Sequence, residues 1–233
     1  MDLIDLSMAR GSNEDYTRFL DQVCERFELD YAAYAGQSGI GDAVHGYVNY
    51  PDEWKLHYAR KGFHRIDPTL HEAGRSIAPV DWQRLERNER FQSVFRNARE
   101  FGISDCGLTI PVRGPYGDIG MFSVTRDCKV DEWARLKERF LSELQSVAVH
   151  IHDNVMQSDS LVQLLRYPAL STRELEILQW IAAGKSQQDV GDILSISHRT
   201  VEVHLRSSRE KLCALTTSQA IGRAIGLGLI FPA

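Results

Sequence analysis

Cysteine is sparse: Cys24, Cys106, Cys128 and Cys213 are scattered through 233 residues with no C-x-x-C pair. That excludes a zinc knuckle and a disulfide framework and points to buried, reduced thiols. Long hydrophobic runs are missing as well. The most apolar stretches, 146–151 and 224–231, fall far short of the roughly 20 residues that a membrane-spanning helix needs. The N-terminal segment holds Asp2, Asp5, Glu14 and Asp15 against a single Arg10, the reverse of a secretory signal, and so predicts a cytoplasmic protein. Glycine and proline, at 17 and 7 residues, are too few for a collagen-like or low-complexity chain, and 43% hydrophobic with 25% charged residues suits a chain that buries a core. No Ser-His-Asp ordering, nucleotide-binding glycine loop or paired-carboxylate motif is recognisable, so no enzyme activity is expected.

What is present suggests one medium and one small domain. The formal net charge of −5 divides unevenly, with −6 over residues 1–170 and +1 over 171–233. Between them, the polar run Gln157, Ser158, Asp159, Ser160 and the later Pro168 read as a linker. The predicted organisation is a first domain over 1–157, a linker over 158–170, and a second domain over 171–233.

In the first part, Ser12 with Asp15 is a loose capping box ahead of Tyr16, Phe19, Leu20, Val23 and Phe27 at helical spacing. Residues 31–35, 43–50, 107–111 and 120–125 are β-branched, aromatic or small and bounded by glycine or proline, and predict strands. Gly114, Gly117 and Gly120 suit a hairpin turn. Helical pieces fall between the second and third strands, one of them over 88–101. A long helix then starts at Asp131 as N-cap and carries Trp133, Leu136, Phe140, Leu144, Val147, Ile151 and Val155 as one apolar seam. Such a seam covers a sheet, pairs with a second copy, or does both. The fold class expected is α+β: an N-terminal α-β-α sandwich with an antiparallel sheet, followed by an all-α four-helix domain.

In the second part, Ser171 or Thr172 can cap a helix with Glu174 in its first turn, ended by Gly184. Ser186 caps a second helix over 187–194 with Val190, Ile193 and Leu194 inward. After Ser195-Ile196-Ser197 a third begins at His198 with Val201, Leu205 and Leu212 buried. A fourth over 217–227 closes the core with Ala220, Ile221, Ala224 and Ile225. Two short helices with a tight turn between them, the second studded with His198, Arg199, Thr200, Glu202, Arg206, Arg209 and Lys211, make a helix-turn-helix.

The run L-S-T-R-E-L-E-I-L-Q-W-I-A-A-G-K-S, followed by I-S-H-R-T-V-E-V-H-L-R-S-S-R-E-K-L, closely resembles the DNA-binding domain of LuxR-type regulators, with Glu174, Leu178 and Gly184 on that family's signature positions. The N-terminal part lacks the acidic cluster of a phosphorylated receiver. It has instead Tyr50, Trp54, Tyr58, Asp67, Pro68 and Trp82. Tyr50, Trp54 and Tyr58 are four apart and share a face if Pro51 opens a helix. Spacing alone is equally consistent with core packing.

The pattern Y-P-D-E-W-x-x-x-Y, then I-D-P and D-W, resembles the autoinducer-binding domain of the same family. The resemblance implies that Trp54 donates to the lactone carbonyl of an N-acyl-homoserine lactone, Tyr50 donates to the acyl carbonyl, and Asp67 accepts the amide N–H. It further implies that Tyr58 and Trp82 pack around the ring, and that Ser123 meets a substituent at the third acyl carbon. Ala33 and Ala35, alternating on the first strand, would leave room for the chain. One departure is that three residues, Ser104, Asp105 and Cys106, separate Phe101-Gly102-Ile103 from Gly107, where many members have two.

The resemblance thus implies a quorum-sensing transcription regulator that binds double-stranded DNA as a homodimer at a two-fold-symmetric operator, takes a lactone as signal and needs no cofactor. The long helix from Asp131 is expected to supply much of the dimer contact. His198, Arg199, Thr200, Glu202, Arg206, Lys211 and Lys185 are the expected DNA contacts, Arg206 and Glu202 at base edges and Lys185 and Arg199 on phosphates. The alternatives are a regulator of the same architecture that senses another small molecule or none, and a lactone or amide hydrolase carrying a helix-turn-helix. His57, His64 and His71 recur every seven residues, but Gly62 and Pro68 interrupt any single helix, so no metal site is expected.

Overall fold

The computed structural model describes residues 13–37, 44–114, 117–158 and 170–232. The chain divides into two compact units. The expected Ser12 cap, and all of the expected linker except its two ends, lie outside the described residues.

The first unit runs α1 (Asn13–Phe27), β1 (Tyr31–Gln37), β2 (Val44–Val48), α2 (Asp52–Lys61), α3 (Pro68–Ala73), β3 (Val80–Asp81), α4 (Glu89–Glu100), β4 (Gly107–Arg113), β5 (Ile119–Thr125) and α5 (Val130–Ser158). The strands form one antiparallel sheet in the order β2-β1-β5-β4-β3. Because side chains alternate along a strand, β1 sorts the layers. Ala32 and Tyr34 join Leu108, Ile110, Phe122 and Val124 in a core with α1 and α5. Ala33 and Ala35 face the other side, where Trp54, Phe63, Trp82, Phe91 and Phe95 form a second cluster. The register aligns Ala33 with Ser123 and Ser123 with Thr109, a row of small residues across the floor of that second layer. The result is the α-β-α sandwich that the element order implies. The two-residue β3 is too short to leave a periodic signal in the sequence.

Two local readings change. Pro51 is the cap of α2 rather than its first residue. Gly120 is a residue of β5, where a Cβ would lie 2.4 Å from Nδ1 of His152, so close packing rather than a turn requires glycine there. The turn residue is Gly117, with φ 73°.

α5 begins at Val130, one residue before the expected Asp131 cap. Its seam is committed to its own unit. Trp133, Phe140, Leu144, Val147, Ile151 and Val155 are buried with α1 and the sheet, Leu136 is half-buried, and Phe140 meets the Phe27 ring edge-on at 5.2 Å between centroids. A helix offers one wide apolar face, and the sheet occupies it. Within one copy the sheet and α1 therefore cover this seam.

The second unit contains α6 (Thr172–Ala182), α7 (Gln187–Leu194), α8 (His198–Lys211) and α9 (Thr217–Gly226). Each of the first three starts at a serine. Ser171 accepts from the Glu174 N–H while Glu174 accepts from the Ser171 N–H, a closed capping box, and Ser186 with Asp189 repeats it. Ser197 caps α8 by accepting from the Thr200 N–H at 3.1 Å. Gly184 ends the α6 turn at φ 87°. Ile177, Leu178, Val190, Val201, Leu205, Leu212, Ala220 and Ala224 make the core. Ile193 and Ile225, expected inward, are each 45% exposed. The buried lines run through Val190 of α7 and through Ala220 and Ala224 of α9, which turns both isoleucines to the edge. Among the described residues no helix is long and apolar enough to cross a membrane.

Candidate functional site

A cavity of about 290 Å³ lies between the sheet face and the helices α2 to α4, close to the lower end of the roughly 300–1,000 Å³ usual for small-molecule sites. All eight residues singled out for ligand contact line it: Ala33, Ala35, Tyr50, Trp54, Tyr58, Asp67, Trp82 and Ser123. The sequence brings them together by simple means. α2 presents Trp54 and Tyr58 one turn apart, their rings meeting edge-on at 5.5 Å. Gly62, at φ 64°, ends α2, and a 3-10 turn over Phe63–Arg65 leads to Asp67, the N-cap of α3.

Asp67 is the polar centre. Its Oδ1 accepts from the Thr69 N–H at 2.9 Å and the Thr69 hydroxyl at 2.7 Å, and its Oδ2 accepts from the Tyr58 hydroxyl at 2.8 Å. The Leu70 backbone N–H also interacts with the carboxylate, so Asp67 is held by donors from α2 and from the first turn of α3. Burial pushes the Asp67 carboxyl above its ordinary value, and the hydrogen bonds from Thr69 and Tyr58 oppose that rise. Burial, followed by the Asp67 charge, also raises the phenols of Tyr58 and Tyr50, which keeps both as protonated donors. Among the described residues the Tyr50 hydroxyl and the Trp54 indole N–H have no hydrogen-bond partner, so two open donors and the Asp67 carboxylate line one cavity.

A second polar chain crosses the floor. The Trp82 indole N–H donates to the Thr109 hydroxyl at 2.8 Å, and Thr109 lies 2.9 Å from the Ser123 hydroxyl. Gly107 makes room for this, since a Cβ there would stand 2.1 Å from the Trp82 ring. Sequence reasoning missed Thr69 and Thr109. The D-P-T run is a readable capping signal for Thr69, but Thr109 is identifiable only from strand register. Val94, Phe95, Ala98, Ile103 and Met121 complete an apolar wall.

The loop with the extra residue is pinned from outside. Asp105 pairs with Arg87 at 2.6 Å and Arg99 at 2.8 Å. Burial favours its neutral form, yet those two arginines hold the carboxyl below its ordinary value. His57, His64 and His71 fall on three separate elements, with His57 hydrogen-bonded to Asn97 at 2.8 Å. Among the described residues no cluster of three or more His, Cys, Asp or Glu side chains suits a metal ion.

In the second unit, α8 follows α7 after a turn that includes Ser195 at φ 54°, and buried Gly191 lets the turn close, since a Cβ there would lie 2.9 Å from the Ile196 carbonyl oxygen. His198, Arg199, Glu202 and Arg206 are exposed on α8, Thr200 is half-buried and shares a hydrogen bond with the capping Ser197, and Lys185 is exposed just before the α7 cap. Lys211 differs from the rest. Its ammonium lies 2.8 and 3.0 Å from the two oxygens of buried Glu174, so it fastens α8 to α6. Burial alone would raise the Glu174 carboxyl, but Lys211, Ser207 and Ser171 hold it down at about 2.

Two family models match the chain: the autoinducer binding domain over residues 12–155, and the LuxR family of bacterial regulatory proteins over residues 168–224. The chain is 31% identical to the transcriptional activator protein RaiR of Rhizobium etli over 213 residues, 91% of this chain and 87% of that one. It is 33% identical to a putative HTH-type transcriptional regulator, y4qH, of Sinorhizobium fredii over 187 residues, covering 78% of this chain and spanning 56% of that longer relative. Among solved structures, SdiA of Escherichia coli superposes with a TM-score of 0.67 at 25% identity, covering 94% of this chain and 92% of SdiA. SdiA in complex with octanoyl-rac-glycerol gives a TM-score of 0.64 at 25% identity over 98% of both chains. The chain belongs to the LuxR family of quorum-sensing transcriptional regulators, with an autoinducer-binding domain ahead of a LuxR-family helix-turn-helix.

Proposed function

We propose that the first unit binds an N-acyl-homoserine lactone and that the second, as part of a homodimer, binds a two-fold-symmetric DNA operator in the cytoplasm. The observation that carries the ligand is the hydrogen-bonding balance of the cavity. An acyl-homoserine lactone offers two carbonyl acceptors and one amide donor, and the cavity brings together two open donors, on Trp54 and Tyr50, and a buried carboxylate acceptor, Asp67. Trp54 serves the lactone carbonyl, Tyr50 the acyl carbonyl and Asp67 the amide. Tyr58 and Trp82 flank the ring, Ser123 meets the third acyl carbon, and the chain runs over Ala33 and Ala35.

On the DNA side, α8 enters the major groove with Arg206 and Glu202 at base edges, His198 and Thr200 at its leading end, and Arg199 with Lys185 on phosphates. Lys211 supports this face through Glu174 rather than by direct contact. Two copies reading successive grooves set half-sites about 10 bp, or a multiple of that, apart.

SdiA in complex with octanoyl-rac-glycerol supplies the rival ligand class, a monoacylglycerol with one carbonyl and two hydroxyl donors. Expression beside a panel of lactone synthases, followed by mass spectrometry of the molecules extracted from the purified chain, separates the two. An intact acyl-homoserine lactone is expected. Recovery of a monoacylglycerol, or of no small molecule, would instead favour a same-architecture regulator with another signal or none.

A further inference from the structure

α8 carries one large apolar side chain in the open among the described residues. Val201, Leu205, Ser208 and Leu212 mark its buried line, and at 3.6 residues per turn the direction opposite falls between Arg199, Val203, Arg206 and Glu210. Val203 is 55% exposed and lies near the middle of that outward face, beside Glu202 and Arg206. A β-branched residue lowers helix propensity, and at a solvated position any long polar residue would serve the helix better. Every other outward position named on this face is polar. Those side chains read hydrogen-bond donors and acceptors, which valine cannot do. The major groove holds one apolar group that valine can cover, the C5-methyl of thymine.

We infer that Val203 is a specificity residue that packs on a thymine C5-methyl, adjoining the base pair met by Arg206. The inference rests on α8 being the helix that enters the groove. It adds a readout by shape and apolar contact to the hydrogen-bonded one, and it requires only the methyl, not the thymine carbonyl or its pairing.

The test starts with selection of binding sequences from a random duplex DNA pool by the full chain, in a mixture of N-butanoyl- to N-dodecanoyl-homoserine lactones. Each thymine of the selected site is then replaced singly by deoxyuridine, which removes the methyl and nothing else. At one thymine per half-site, wild type should lose about fourfold in affinity, the loss for uncovering one methyl. Val203→Ala keeps an exposed helix position filled by a better helix former and so should fold; it should bind the thymine and uracil forms alike. A flat uracil scan with wild type, or a uracil loss of equal size in Val203→Ala, overturns the inference. Enrichment of no sequence at all overturns the DNA reading of α8 beneath it, and that result is seen before any uracil is introduced.

Discussion

The Tyr58 hydroxyl donates to Oδ2 of Asp67 at 2.8 Å, tying the last full turn of α2 to the N-cap of α3. This bond orients the carboxylate that is proposed to meet the ligand amide. Tyr58→Phe removes the donor and keeps the ring that meets Trp54. A buried hydrogen bond to a charged group is worth about 1.5–3 kcal/mol, and this one is made without ligand, so Tyr58→Phe should lower the unliganded melting temperature by several degrees and, by loosening the carboxylate, also weaken lactone binding. Thermal melts and titration calorimetry on both proteins measure the two effects.

Affinity should also depend on pH. The Asp67 carboxyl titrates above its ordinary 3.8 because it is buried. A raised folded pKa means that the carboxyl favours the unliganded fold at low pH and that this contribution is lost as pH rises through the folded pKa. A ligand amide donating to the ionised form reverses the preference. Lactone affinity should therefore weaken as pH falls through the raised value, at a pH above 3.8, and the slope should vanish in Asp67→Asn. Affinities measured by fluorescence across a pH series check both statements.

In the second unit, Glu174 joins the α6 capping box to Lys211 of α8. Its carboxyl lies at about 2 rather than 4.5, so its contribution is present above the ordinary value and lost as pH falls toward 2. Glu174→Gln should destabilise this unit by about 2 kcal/mol at neutral pH, the scale of a charged hydrogen bond. Acid unfolding of wild type should erase the gap. Chemical denaturation followed through Trp180, on α6, reads it.

Phe140→Glu places a charge against Phe27 in the core under the sheet. Loss of the ring and burial of an unpaired carboxylate together should cost at least about 4 kcal/mol. We expect a chain that fails to fold in its first unit, seen by circular dichroism and proteolysis. A folded monomer would instead restore the outward-facing seam.

Much of this was legible in the chain because the signals are local. Ser171 with Glu174 and Ser186 with Asp189 are capping boxes that need only four residues of context, and Gly184 stands where a positive φ ends a helix. Spacing puts Trp54 and Tyr58 one helical turn apart, but that is equally consistent with core packing, and it is the family resemblance that singles out the set around Asp67. What escaped depends on distant partners. Thr109 joins the site through its register with Ser123, and Lys211 is claimed by a glutamate 37 positions away. The burial of the α5 seam is likewise a choice between two surfaces, a sheet or a second copy, that periodicity cannot make.

Lactone sensing through Trp54 and Asp67 is tested most directly by the ligand-induced melting shift of wild type, Trp54→Phe and Asp67→Asn. Asparagine can still cap α3, and phenylalanine keeps an aromatic wall, so all three should melt alike without ligand. A ligand bound only by the folded state adds about 2.7 kcal/mol at a hundred times its dissociation constant, so wild type should gain several degrees with its cognate lactone and both variants distinctly less. If both variants keep the full wild-type shift, Trp54 and Asp67 are packing residues and the lactone assignment of this cavity is wrong.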